Sequence, residues 1–179
     1  LRELENSVFL DANCMNALRL AETADFTLLP ADEHPHIADV CMSLLELKDV
    51  KIGGYSYICL PLKNPTIQSR ELLKIFFGKV KETENCYLIQ SVCSMAMALD
   101  VSDLYADWVL SKAQYVCDYY ENGVNHMVSD HDINEFMLSL HDHRNIIKAL
   151  RILLPHKRYY SEPHFGKDRY HIVSALLGK

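Results

Sequence analysis

The sequence predicts an α+β protein that is mostly α: a small sheet flanked by helical hairpins, followed by additional helices. Three observations predict it. Short runs with β-branched and aromatic character, Asp25–Leu29, Val50–Ile52 and Tyr55–Leu60, have the length of strands. Gly53-Gly54, between the last two, supplies the positive φ angles of a tight hairpin turn. From Thr66 onward apolar residues recur at three- and four-residue steps, the period of helices with one buried face.

Taken in order, Val8–Thr23 reads as a helix, with Leu10, Cys14, Ala17, Leu18 and Ala21 on one apolar face. The strand Asp25–Leu29 is stopped by Pro30, and Ala31–Pro35 is a polar loop. A short helix, Ile37–Leu47, turns Val40, Cys41, Leu44 and Leu45 inward. After the hairpin, Pro61 and Pro65 bracket a connector, because each removes a backbone donor and disfavours helix before it. The helices then expected are Ile67–Phe77, Cys86–Leu99, Ser102–Tyr120, Asp130–Leu140 and His143–Leu154, with a last one over Ile172–Leu177. Thr83 or Asn85, Ser102-Asp103 and Ser129 stand where N-caps belong, and Gly78, Gly123 and Pro155 mark stops.

The chain of 179 residues suits one compact domain, or one domain with a helical extension. It is 49% hydrophobic and 23% charged, which supports a core and argues against wholesale disorder. The net charge of −6 argues against a general grip on nucleic acid, which needs a basic surface to displace counterions. The 6 cysteines form no CxxC pair and sit in apolar runs, so they read as small buried side chains in a reducing compartment. Leu1–Asn6 carries Arg2, Glu3 and Glu5 with no apolar core behind it, unlike a signal peptide. No apolar run reaches the roughly 18–20 residues that span a bilayer. These features give an intracellular expectation, nucleus or cytoplasm, without a membrane partner.

Local motifs add a family resemblance. Asn16-Ala17-Leu18-Arg19 followed by Asp25-Phe26-Thr27-Leu28, then Glu71–Val80 with its Leu-Leu-x-φ-φ-aromatic-Gly-x-Val pattern, then Ala96–Leu104 with Ala-x-x-Leu-x-Val-x-x-Leu, stand in the order of a BTB (POZ) domain. His36 and Ser43 match the His-led helix of that family one residue short, Val40 replaces its Leu, and Trp108 replaces its later Cys. The chain thus resembles a divergent BTB domain over residues 1–115, with 116–179 as a BACK-like helical extension and tail. The resemblance implies a scaffold that homodimerises through its first helix, with Leu10, Met15, Leu18 and Ala21 as candidate dimer contacts. It also implies recruitment of partners such as a cullin ubiquitin-ligase scaffold or a chromatin regulator. Leu44-Leu45-Glu46 spells the apolar-x-Glu motif of cullin adaptors, which makes Leu44 and Glu46 candidate partner contacts.

Chemistry is sparse. His126, Asp130, His131, Asp132, His141, Asp142 and His143 crowd one region, and His131-Asp132 spells the core of HD-type phosphohydrolases. Such a metal site needs imidazole and carboxylate converging on one ion, and no spacing here singles out the partners. A capped helix start at Ser129–Asp132 and a polar loop at His141–His143 account for the same residues. Cys86 lies near a helix start, where a thiol is activated, but Cys93 and Met97 extend it into a core stripe. There is no Gly-rich phosphate loop, GxSxG or paired carboxylate setting. The expectation is therefore an interaction module, not an enzyme, with no catalytic residue, cofactor or metal. Beyond Pro155, cations and aromatics interleave in His156-Lys157-Arg158-Tyr159-Tyr160. Lys157, Arg158, Tyr159 and Tyr160 are candidate partner-binding residues, and the same mixture would suit a nucleic-acid-binding accessory domain.

Overall fold

The computed structural model describes residues 12–28, 43, 58–83, 85–122, 130–156 and 169–179. Among them the protein is built from helices: α1 (Ala12–Thr23), α2 (Arg70–Val80), α3 (Cys86–Ala98), α4 (Ser102–Asn122), α5 (Asp130–Leu138), α6 (His143–Leu153) and α7 (Arg169–Leu177). Two short 3-10 turns, Phe26–Leu28 and Pro61–Lys63, complete the elements. No strand occurs among the described residues, which overturns the expected α+β core with its BTB-like sheet.

The reasons are local and legible. At the expected strand Asp25–Leu29, the Asp25 carboxylate accepts from the backbone N–H of Thr27 at 3.0 Å and from its hydroxyl, forming an Asx turn. That bond curls the backbone, and Leu28 N–H then donates to the Asp25 carbonyl at 3.4 Å. At the expected strand Tyr55–Leu60, Ile58 is helical and Cys59–Leu60 turn into Pro61–Lys63. Ile58, Cys59 and Leu62 are buried while Leu60 is not, whereas a strand with Ile58 and Leu62 on its inner face would bury Leu60 and expose Cys59. Leu60 keeps right-handed helical angles (φ −56°, ψ −47°) although Pro61 follows it, against the usual preference. Val50–Ile52, the Gly53-Gly54 turn and residues 55–57 lie outside the described residues, as does all of Ile37–Leu47 except Ser43, which is helical.

The helices expected from Thr66 onward form, with shifted ends. α2 starts at Arg70 and not at Ile67 because Ser69 caps it, its side chain accepting from Leu72 N–H at 3.1 Å. Asn85 caps α3, accepting from Tyr87 N–H at 3.0 Å. Between α3 and α4 the link is only three residues long. Asp100 takes a positive φ of 52°, Asp100 N–H donates to the Met97 carbonyl, and Val101 N–H donates to the Ala96 carbonyl at 2.9 Å. This is a helix stop that glycine usually makes.

The chain divides into two compact units, residues 1–95 and 96–179. The expected boundary at residue 115 falls inside α4. In the first unit α1 packs on the Pro61–Lys63 turn, over a core that includes Leu18, Ile58, Leu62, Leu73, Phe76, Ile89 and Val92. Buried Asn64 ties this packing together. Its Nδ2 donates to the carbonyls of Ala21 and Ala24, both at 2.7 Å, satisfying the last turn of α1. In the second unit α4 packs on α5 and α6, and α7 lies against α5 and α6. Ala106, Val109, Phe136, Met137, Ile146, Leu153 and Ile172 fill the space between them.

Candidate functional site

Two regions present groups that folding does not use up, one in each unit. In the second unit the region is the outward face of α6. Asn145, Ile146, Ala149 and Leu153 point inward and are buried, while Arg144, Ile147, Lys148, Arg151 and, just beyond the helix, Leu154 point outward. Ile147 and Leu154 are each 48% exposed and lie two turns apart, with Arg151 between them. The helix contains no Asp or Glu. Arg144 pairs with Asp142 at 2.8 Å and Lys148 with Asp107 at 2.5 Å, and Arg151 has no ion pair among the described residues.

Carboxylates hold the start of α6 in place. Asp142 is its N-cap, accepting from Arg144 N–H at 2.8 Å. The hydrogen bond from the Arg144 side chain, with that from its backbone N–H, holds the Asp142 carboxyl down at about 2. Asp103, in the first turn of α4, reaches across to the same place. One of its oxygens accepts from the N–H groups of His141 and Asp142, both at 3.0 Å, and the other from Asn145 Nδ2 at 2.9 Å. Partial burial pushes the Asp103 carboxyl up, but these three donors outweigh it and leave it below the usual carboxylate range.

In the first unit the region is a cleft of about 450 Å³ between α1, the 58–63 turn and α3. Arg19 and Glu22 line it from α1, Cys59, Leu60 and Lys63 from the turn, and Tyr87, Gln90 and Ser91 from α3. Cys59 and Ser91 form its floor, each 1% exposed. Ser91 Oγ donates to the Tyr87 carbonyl at 2.8 Å and also hydrogen-bonds the Cys59 thiol. Burial pushes that thiol up to about 11, against the smaller pull of Ser91 and Lys63, so it stays protonated near neutral pH and is no nucleophile.

The residues singled out from sequence fall in different places. On α1, Leu18 is buried at 6% exposure within its own unit, and Met15 and Ala21 are half-buried. Among the described side chains of that helix, Asn16, Arg19, Leu20 and Thr23 are exposed. Leu10, Leu44, Glu46, Lys157, Arg158, Tyr159 and Tyr160 lie outside the described residues. So does His126, as do the side chains of Asp130 and His131. His141 stands 3.6 Å from the Asp100 carboxylate on an exposed surface, and Asp142 is committed to its cap. Among the described residues no three His, Cys, Asp or Glu side chains converge as a metal site would require. Among the described residues no helix is long and apolar enough to cross a membrane.

No protein-family model, curated protein or solved structure matches this chain, and nothing in those comparisons identifies a BTB domain. Reasoning from sequence alone missed the cleft. Its signal was weak: Arg19 and Glu22 stand three apart, Cys59 and Lys63 four apart, and Tyr87 and Ser91 four apart, so each pair shares a helical face. Nothing in the sequence joins those three faces.

Proposed function

We propose that this protein is a helical protein–protein interaction module and not an enzyme, and that the outward face of α6 docks an acidic amphipathic segment of a partner protein. The observation that carries the reading is the line Ile147–Arg151–Leu154 on a helix without a single acidic residue, in a chain whose net charge is −6. Two half-exposed aliphatic side chains flanking a cation make a small apolar anchor with a charge at its centre. Arginine is among the residues that dominate binding energy at protein interfaces, and aliphatic neighbours serve there to exclude water from it. The sequence carries the same mixture onward into Lys157-Arg158-Tyr159-Tyr160. Cations and aromatics together would extend a docking strip for an acidic segment.

Fluorescence anisotropy on the full chain tests this, with a labelled Glu/Leu amphipathic peptide, a Lys/Leu peptide of equal length, and a single-stranded oligonucleotide. The acidic peptide is expected to bind in the micromolar range, about −8 kcal/mol. Arg151→Glu and Ile147→Asp should each weaken it roughly tenfold or more, about 1.4 kcal/mol, with an unchanged circular dichroism spectrum. Equal binding of the acidic and basic peptides would overturn the proposal. So would tight binding of the oligonucleotide alone, with the steep salt dependence of counterion release.

A further inference from the structure

The cleft of the first unit carries a second inference, independent of α6. Its lining has both signs of charge. Glu22 and Lys63 are half-buried in it, and neither has an ion pair among the described residues, although they line the same cleft. Partly desolvated charges of opposite sign normally find each other or a third group, because leaving them unmatched costs solvation with no return. Arg19 also lines the cleft, exposed and engaged in an interaction of its own. Tyr87 presents a half-buried ring on the α3 side, and the floor of Leu60, Cys59 and Ser91 is apolar or internally satisfied. The cleft volume of about 450 Å³ lies in the range of small-ligand sites and exceeds what one inorganic ion would fill.

We infer that this cleft binds a zwitterion of amino-acid type, its carboxylate toward Lys63 and its ammonium toward Glu22 and the Tyr87 ring. The choice between ligand classes follows from the lining. A simple anion would match Lys63 but meet the Glu22 carboxylate, and a simple cation would match Glu22 but meet the Lys63 ammonium. A ligand carrying both charges matches both. Lysine suits the carboxylate end as a point charge. An aromatic face beside a carboxylate suits an ammonium by cation–π attraction. The floor thiol is 1% exposed and hydrogen-bonded to Ser91, so it is turned away from the ligand space. The same pair of charges occurs on a free amino acid and at a peptide end whose side chain bears the opposite charge.

Isothermal titration calorimetry on the full chain, with a two-dimensional NMR spectrum of the same sample, tests the inference. The probes are free L-lysine and L-glutamate, their N-acetyl and amide derivatives, an acetylated peptide ending in lysine, and an amidated peptide beginning with glutamate. Saturable binding is expected for the free amino acids or for the two peptides, and which set binds distinguishes a metabolite from a chain terminus. Removing either charge from the ligand should weaken binding roughly tenfold or more. Glu22→Gln and Lys63→Met should do the same, with the far-ultraviolet spectrum and melting temperature kept as controls of folding. Binding that ignores both ligand charges overturns the inference. So does the absence of any saturable shift in the Tyr87 and Gln90 resonances up to about 10 mM of every probe. Neither result bears on α6, whose peptide assay is read with different variants.

Discussion

Replacing Asp103 by alanine would remove three hydrogen bonds that run between helices and not along one. Two come from the backbone N–H groups of His141 and Asp142, at 3.0 Å, and one from Asn145 Nδ2 at 2.9 Å. Losing a capping side chain costs about 1 kcal/mol, and a hydrogen bond to a charged group contributes about 1.5–3 kcal/mol. The full sum overstates the loss, because Asp103 is only half-buried and water can replace part of what it gives up. The expected destabilisation is therefore about 2 kcal/mol, or a fall in Tm of roughly 4–8 °C for a chain of this size. Asp103→Asn keeps one acceptor oxygen but sets an amide NH₂ against donors, so it should lose about half as much. The proton linkage gives an internal check. The folded carboxyl lies below its ordinary value of 3.8, so its contribution is fully present above that value and is lost as pH falls through the folded value. The difference between wild type and Asp103→Asn should accordingly hold steady from pH 7 to about 5 and shrink below about 4. Urea denaturation midpoints across that range measure it. A loss under about 0.5 kcal/mol for Asp103→Ala, the size of an ordinary surface change, would refute the reasoning.

Two further substitutions test the fold. Asn64→Ala should cost about 3 kcal/mol, because the carbonyls of Ala21 and Ala24 lose their shared donor and the Thr66 N–H loses its acceptor. Asn64→Asp should be at least as damaging, since it places a carboxylate against those carbonyls; a denaturation curve matching wild type for either variant would sink this account of the α1 terminus. Asp100→Gly should raise stability by up to about 1 kcal/mol, since a positive φ of 52° is strained for aspartate and free for glycine. A melting temperature lower than wild type would show that the exposed His141 contact outweighs the backbone term.

The helices were legible in the sequence wherever a run of apolar residues was long enough to show its period. α2, α3, α4, α5 and α6 all appear over residues whose spacing predicted them, and Asn85 caps α3 as expected, whereas Asp142, read as part of a polar loop, is the cap of α6. The short runs were not legible. Five or six residues such as Asp25–Leu29 or Tyr55–Leu60 complete too few turns for a period to declare itself, so β-branched character alone pointed to strands. In the folded chain a side-chain bond from Asp25 curls the first run, and the described end of the second, Ile58–Leu60, leads into the turn at Pro61–Lys63. The sheet expected from the BTB resemblance rested on those same short runs, while the motifs at Glu71–Val80 and Ala96–Leu104 are helical packing patterns common to many folds.

The sequence by itself therefore determined the longer helices, the cap at Asn85 and an α6 segment that has cations and no acids. Periodicity and composition are properties of consecutive residues, and those survive into any fold. Only the tertiary structure decided that Asp103 bonds the two N–H groups just ahead of α6, and that Leu18 is buried within its own unit. Only it brings Glu22, Lys63 and Tyr87 around one cleft, because three segments separated by 24 residues or more meet there through packing that no local pattern encodes.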